Sequence, residues 1–199
     1  MALLHYYMGS MYAGKSTSAV QALLAATTYE QRIISSPSWQ SRGYLSRNHS
    51  KDDIPKDIHI VANLQELSAY DLYMPIKTLL VIDEVQFCPD TDLDPILNLA
   101  QQLDHLDLIV SGLQVGQHAQ PFHNGRKLLD LFEDRVTRLY APCAICDSDK
   151  GLVAIRKWLI NDHIRDEYSL LCQDCFDKFF HYGRIGLPIP DPTHVEEDL

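Results

Sequence analysis

No apolar run in this chain approaches the roughly 18 residues that a membrane-spanning helix needs. No basic stretch precedes the first apolar residues, so a secretory leader is not expected. Positive charge is the scarcer sign, with Lys+Arg 17 against Asp+Glu 27 and a formal net charge of −10. That balance excludes a basic stripe of the kind that coats nucleic acid. An anionic ligand must then be held by local donors and a metal, because the global field opposes it. There is no internal repeat and no low-complexity tract. What remains is an ordinary globular composition, 46% hydrophobic and 22% charged over 199 residues. That length suits one good core and a small appendage.

Cysteine is sparse and patterned. Of five cysteines, four form the pairs Cys143-x-x-Cys146 and Cys172-x-x-Cys175, and Cys88 stands alone. Two such knuckles in a reducing, cytoplasmic compartment point to one tetrahedral structural Zn²⁺ held by four thiolates. The competing readings are two disulfides or a redox pair. The compartment disfavours the first. The second belongs beside a βαβ unit and does not come twice. Cys88 reads as a small buried hydrophobe.

Gly9-Ser10-Met11-Tyr12-Ala13-Gly14-Lys15-Ser16-Thr17 fits the phosphate-binding pattern G-x-x-x-x-G-K-[ST]. An apolar run precedes it and a helix-compatible segment, residues 17–31, follows. In that context the glycines let backbone N–H groups turn toward phosphate oxygens. The helix N-terminus adds partial positive charge. Lys15 is expected at the β- and γ-phosphates, and Ser16 on Mg²⁺.

The first 140 residues alternate strand and helix signals. Strands are predicted at residues 3–7, 32–35, 58–61, 78–83 and 108–111, and helices at 17–31, 64–72, 93–106 and 126–134. This pattern predicts an α/β fold, a parallel sheet covered by helices on both faces. The polar segment 36–56 reads as a long loop. The domains expected are a P-loop nucleotide-binding unit at 1–140, a zinc-binding unit at 141–185, and a disordered, acidic, Pro-rich tail at 186–199. Phe176, Phe179, Phe180 and Tyr182 have the spacing of one helix face.

Asp83 and Glu84 close the apolar run Leu79-Leu80-Val81-Ile82. An acid there sits beside the phosphate loop, so Asp83 is placed to order Mg²⁺. Successive strand residues face opposite ways, which frees Glu84 to accept a proton from an attacking hydroxyl.

Several words stand in a telling order: Gly14-Lys15-Ser16-Thr17, Ile82-Asp83-Glu84-Val85-Gln86-Phe87-Cys88-Pro89-Asp90, Ser111-Gly112-Leu113, Pro121-Phe122, and the two cysteine pairs. Together they resemble the zinc-containing thymidine kinase family of cytosolic, bacterial and viral type, from about Leu3 to Cys175. Tyr168, four residues before Cys172, matches as well. The resemblance implies a RecA-like α/β domain with a small zinc-ribbon (lasso) domain. It implies transfer of the ATP γ-phosphoryl to the 5′-hydroxyl of a pyrimidine deoxynucleoside, with Mg²⁺, in the service of DNA synthesis. ATP would be held by Gly9, Ser10, Met11, Tyr12, Ala13, Gly14, Lys15, Ser16, Thr17, Asp83 and Gln86, with Glu84 as general base. The nucleoside would meet Arg42, Phe87, Gln117, Phe122 and Tyr168. A lid, residues 150–167, would bring Leu159, Ile160, Asn161, Asp162 and His163 to the base. A cytoplasmic homotetramer is implied too, with neither nucleic acid nor membrane as partner.

The chain departs from the family where the acceptor is read. Gln40 stands in place of an acid, Gln114 in place of an aspartate and Gln117 in place of a phenylalanine. The lid lacks the usual threonine. Amides make a pocket wetter and richer in hydrogen-bonding groups. Thymidine is the expected acceptor. A related or 5-substituted pyrimidine deoxynucleoside is the alternative, and a catalytically silent ATP-binding zinc module is the other.

Overall fold

The computed structural model describes residues 3–37, 44–46, 48–116, 119–132, 135–146, 148–156 and 168–182. The acidic tail, 186–199, lies outside them. Six strands form one sheet: β1 (Leu4–Gly9), β2 (Gln31–Ser35), β5 (Ile58–Val61), β6 (Thr78–Ile82), β7 (Leu106–Leu113) and β8 (Val136–Leu139). Their order is β5-β2-β6-β7-β1-β8, and every pairing is parallel. Parallel strands need both faces covered, and the residues supply both. Along β6, Leu79 and Val81 enter one core while Leu80 and Ile82 enter the other. In β2, Ile33 and Ile34 divide the same way.

One face is covered by α1 (Lys15–Ala25), through Ala19, Val20 and Leu23. The opposite face is covered by α2 (Asp90–Gln102) and α3 (His123–Phe132), through Leu93, Ile96, Leu97, Leu128 and Phe132. The predicted α/β sheet with helices on both sides is what the chain forms. Among the described residues, no helix is long and apolar enough to cross a membrane.

The differences from expectation have physical causes. Helix α1 ends at Ala25, short of residue 31. Thr27 and Thr28 are poor helix formers, and the buried Arg32 guanidinium donates to the terminal carbonyls of Leu23 and Leu24, 3.4 Å each. Arg32 also pairs with Asp57. The helix expected at 64–72 is a 3-10 helix, Leu64–Ala69. It buries only Leu64 and Leu67, an i, i+3 pair that eclipses in that geometry. The presumed long loop at 36–56 contains a small hairpin, β3 (Tyr44–Ser46) with β4 (His49–Ser50). Leu45 and Ile54 anchor this region in the α1 core. Strand β8 carries Thr137 and Arg138 at the sheet edge, so it gave no apolar signal.

Beyond the sheet, β9 (Val153–Arg156) and β10 (Tyr168–Leu171) pair antiparallel, and α4 (Gln173–Tyr182) follows. The predicted aromatic segment is thus a helix, with Phe176 buried beside the cysteines.

Candidate active site and metal centre

The phosphate loop lies between β1 and α1, at the carboxyl edge of the sheet. Its backbone bends through two left-handed residues, Tyr12 at φ 61 and Gly14 at φ 83. Such bends turn consecutive N–H groups into a concavity suited to an anion. The two glycines serve different ends. A Cβ at Gly9 would stand 1.9 Å from the carbonyl oxygen of Leu139, whereas one at Gly14 would meet nothing within 4 Å. Gly9 is required by close approach, and Gly14 by its φ. Met11, Tyr12 and Ala13 complete the loop, and Thr17 lies in the first turn of α1. The hydroxyl of Ser10 is buried with no hydrogen-bond partner.

The Lys15 ammonium folds back and donates to the Ser10 carbonyl at 2.6 Å. Burial brings its pKa down to about 8, against the pull of Asp83 and Glu84. A poorly solvated cation within a loop whose N–H groups turn inward is a prepared anion site.

Asp83 follows β6 and is 2% exposed. Its N–H donates to the Ser35 carbonyl at 2.9 Å. Its Oδ1 accepts from Ser16 Oγ at 3.0 Å and from Ser111 Oγ. Burial pushes the carboxyl up, while the two hydroxyls and Lys15 hold it back. A buried carboxylate touching the hydroxyl of the phosphate loop is a donor set that fits Mg²⁺. Strand β7 lies between the strands carrying these groups, and its Ser111 joins them. Sequence reading gave Ser111 no role. A lone hydroxyl in the buried strand Leu106–Leu113 was its signal.

Glu84 is half-buried at φ 52, ψ 42, left-handed for a residue with a Cβ. It leads into a single 3-10 turn, Val85–Phe87. Gln86, expected at ATP, uses its Oε1 to accept the Leu113 N–H at 3.0 Å. Phe87 is 62% exposed, so it is not core. Its ring stands edge-on to that of Phe122, centroids 6.3 Å apart. Phe122 ends the segment that begins at Gln114. The Gln114 N–H donates to the Gly9 carbonyl at 3.1 Å, and its Oε1 is buried without a partner. The two aromatic rings therefore stand together at the end of the turn that begins with Glu84. Tyr168 opens β10, away from that turn in sequence. Arg42, Gln117, Leu159, Ile160, Asn161, Asp162 and His163 lie outside the described residues, as does Gln40.

The four paired cysteines converge, their Sγ atoms all within 4.8 Å of one another. Cys146 and Cys172 are 3.6 Å apart, close to the ~3.8 Å edge of a thiolate tetrahedron with ~2.3 Å metal bonds. None of the five cysteines is in a disulfide. The set fits structural zinc. Burial opposes the Cys143 thiolate, yet hydrogen bonds from the backbone of Cys172, Cys146 and Ile145 bring it down to about 6. Cys172 and Cys175 are pushed up by burial. Metal binding would therefore release protons. Backbone contacts shape the cluster. Gly151 bridges to Ala141, and a Cβ there would lie 2.5 Å from the Ala141 oxygen. Val115 and Ala119, from the segment that ends at Phe122, pack on this core. Cys88 lies apart, its thiol pushed up by burial to about 11. A raised pKa keeps the thiol protonated, and Cys88 is half-buried.

The family model described as thymidine kinase covers residues 2–176.

Proposed function

This chain belongs to the thymidine kinase family, and on that premise we propose that it moves the γ-phosphoryl of ATP to the 5′-hydroxyl of thymidine. Family membership gives the coarser activity, ATP-dependent phosphoryl transfer to a nucleoside. The convergence of Lys15, Ser16, Asp83 and Glu84 at one sheet edge supports the phosphoryl-transfer step, and the family description favours thymidine as the acceptor. The backbone from Gly9 to Thr17 cradles the triphosphate, and Lys15 exchanges the Ser10 carbonyl for phosphate oxygens. Ser16 and Asp83 hold Mg²⁺, which when bound neutralises phosphate charge. Ser111 keeps the Asp83 carboxylate oriented.

Glu84 takes the proton of the 5′-hydroxyl as that oxygen attacks. Phe87 and Phe122 pack against the base or sugar and exclude water. Residues 141–185 form a zinc-pinned unit whose lid, including Leu159–His163, grips the base, with Tyr168, Arg42 and Gln117 completing the pocket. Zinc is structural and takes no part in the transfer. The protein works in the cytoplasm as a homotetramer, apart from nucleic acid and membranes.

Transfer of label from γ-labelled ATP·Mg²⁺ to thymidine, deoxyuridine, deoxycytidine and a purine control tests this. Label chiefly on thymidine supports the reading. Label chiefly on another pyrimidine overturns the acceptor and points to the amides at Gln40, Gln114 and Gln117, of which Gln114 has a buried oxygen without a partner. ATP binding without transfer to any acceptor overturns catalysis. Glu84→Gln separates the roles: ATP affinity stays and turnover falls by about 10²- to 10⁴-fold.

A further inference from the structure

Glu84 holds a left-handed conformation, φ 52, that is unfavourable for a residue with a Cβ. Such a conformation persists only where its surroundings over-determine it. In the turn that follows, the Phe87 N–H donates to the Glu84 carbonyl at 3.0 Å and the Cys88 N–H to the Val85 carbonyl at 3.1 Å. Side-chain bonds to neighbouring elements also hold it. One is the Gln86 bond to β7. It lies over Gly112, where a Cβ would stand 2.7 Å from Val85 Cγ1.

Another tether is Asn124, in the first turn of α3 and 5% exposed. Its Nδ2 donates to the Val85 carbonyl at 3.1 Å and to the Cys88 carbonyl at 2.7 Å. The amide cannot be reversed, because Oδ1 would then face two carbonyl oxygens. In the orientation present, Oδ1 is buried with no partner. An apolar side chain would avoid that cost but would take the donor away from the Val85 and Cys88 carbonyls. The residue is explained by what its two N–H bonds hold.

We propose that Asn124 is a positioning residue: it fixes the Val85–Phe87 turn, and so sets the carboxylate of Glu84 and the ring of Phe87 toward the acceptor. Phe122, two residues earlier and just ahead of α3, stands edge-on to Phe87, so the entry into α3 brings both the tether and the facing ring. The inference rests on Glu84 being the base.

The test is a double-mutant cycle on the full chain: wild type, Asn124→Ala, Glu84→Gln and the pair. Turnover, KM for ATP, KM for thymidine and thermal midpoint are measured for each. Asn124→Ala is expected to lower kcat by about 10- to 100-fold, as a base displaced by ~1 Å would. KM for ATP is expected to stay within about twofold, because the phosphate loop is untouched. In the Glu84→Gln background the same substitution is expected to cost less than about twofold. An equal loss of kcat in both backgrounds would show that Asn124 does not act through Glu84. Unchanged kcat in folded N124A protein would overturn the proposal, and so would a loss confined to KM for ATP. Wild-type turnover in the Glu84→Gln single variant would instead remove the general-base reading, and the inference with it. Should N124A fail to fold, Asn124→Ser keeps one donor. Its smaller loss of kcat is expected to vanish in the same way in the E84Q background, and persistence there would overturn the proposal.

Discussion

Gly9 and Gly14 frame one loop, and the fold makes them unequal. A methyl group at Gly9 lands 1.9 Å from the Leu139 oxygen and 2.8 Å from its carbonyl carbon. Ordinary contact would require strand β8 to retreat by about 1.5 Å. No rotamer relieves this, because the obstacle is backbone. The Ser10 N–H bond to Leu139, 3.3 Å, would go with it. Overpacking in the upper part of its range, about 2.5 kcal/mol, plus one lost hydrogen bond comes to about 3–4 kcal/mol. For a chain this size that is a fall in thermal midpoint of about 6–16 °C. At Gly14 nothing lies within 4 Å of the added Cβ, and only the φ of 83 is costly. That is about 1–2 kcal/mol, or a fall of about 2–8 °C. Asparagine tolerates the left-handed region, so Gly14→Asn should recover part of the loss. Gly9→Asn should be no better than Gly9→Ala. Thermal unfolding of the ligand-free protein, followed by circular dichroism, reads all four variants. A Gly9→Ala protein within about 2 °C of wild type would refute the close-approach argument, as would Gly14→Ala unfolding below Gly9→Ala.

Three other outcomes are expected. Purified protein should carry about one zinc per chain by elemental analysis, lost in Cys175→Ser and kept in Cys88→Ser; zinc retained in Cys175→Ser would remove that ligand. Ser111→Ala should cost about 1.5–3 kcal/mol by removing a hydrogen bond to a charged group, and should raise the Mg²⁺ concentration needed for half-maximal turnover; an unchanged Mg²⁺ requirement would detach Ser111 from that site. Lys15 titrates near 8 in the ligand-free fold, below its ordinary value of 10.5. Between those values the unfolded chain binds the extra proton, so this group makes stability rise with pH there. Phosphate favours the charged lysine, so ATP binding at pH 8 or above should take up a proton and weaken as pH rises. Calorimetry in buffers of different ionisation enthalpy reads the uptake, and its persistence in Lys15→Met would assign the proton elsewhere.

The chemistry-bearing groups were legible because each is local. A phosphate loop is a turn between a strand and a helix. An acid after an apolar strand is placed by that strand, and a thiol pair is spaced by one knuckle. Residues 9–17, Asp83–Glu84 and the four cysteines were readable for that reason, as was the alternation that gives a two-faced parallel sheet. The polar edge strand β8 and the hairpin in segment 36–56 were not, because their stability comes from neighbours distant in sequence. Only packing across the sheet brought Ser111 to Asp83, set Leu139 against Gly9 and laid Asn124 under the Glu84 turn. Hydrogen bonds between residues 28 to 39 positions apart leave no periodicity to read. The sequence by itself determined which chemical groups this protein has. The tertiary structure alone decided how they are held, because position at ångström scale is set by contacts that no local pattern encodes.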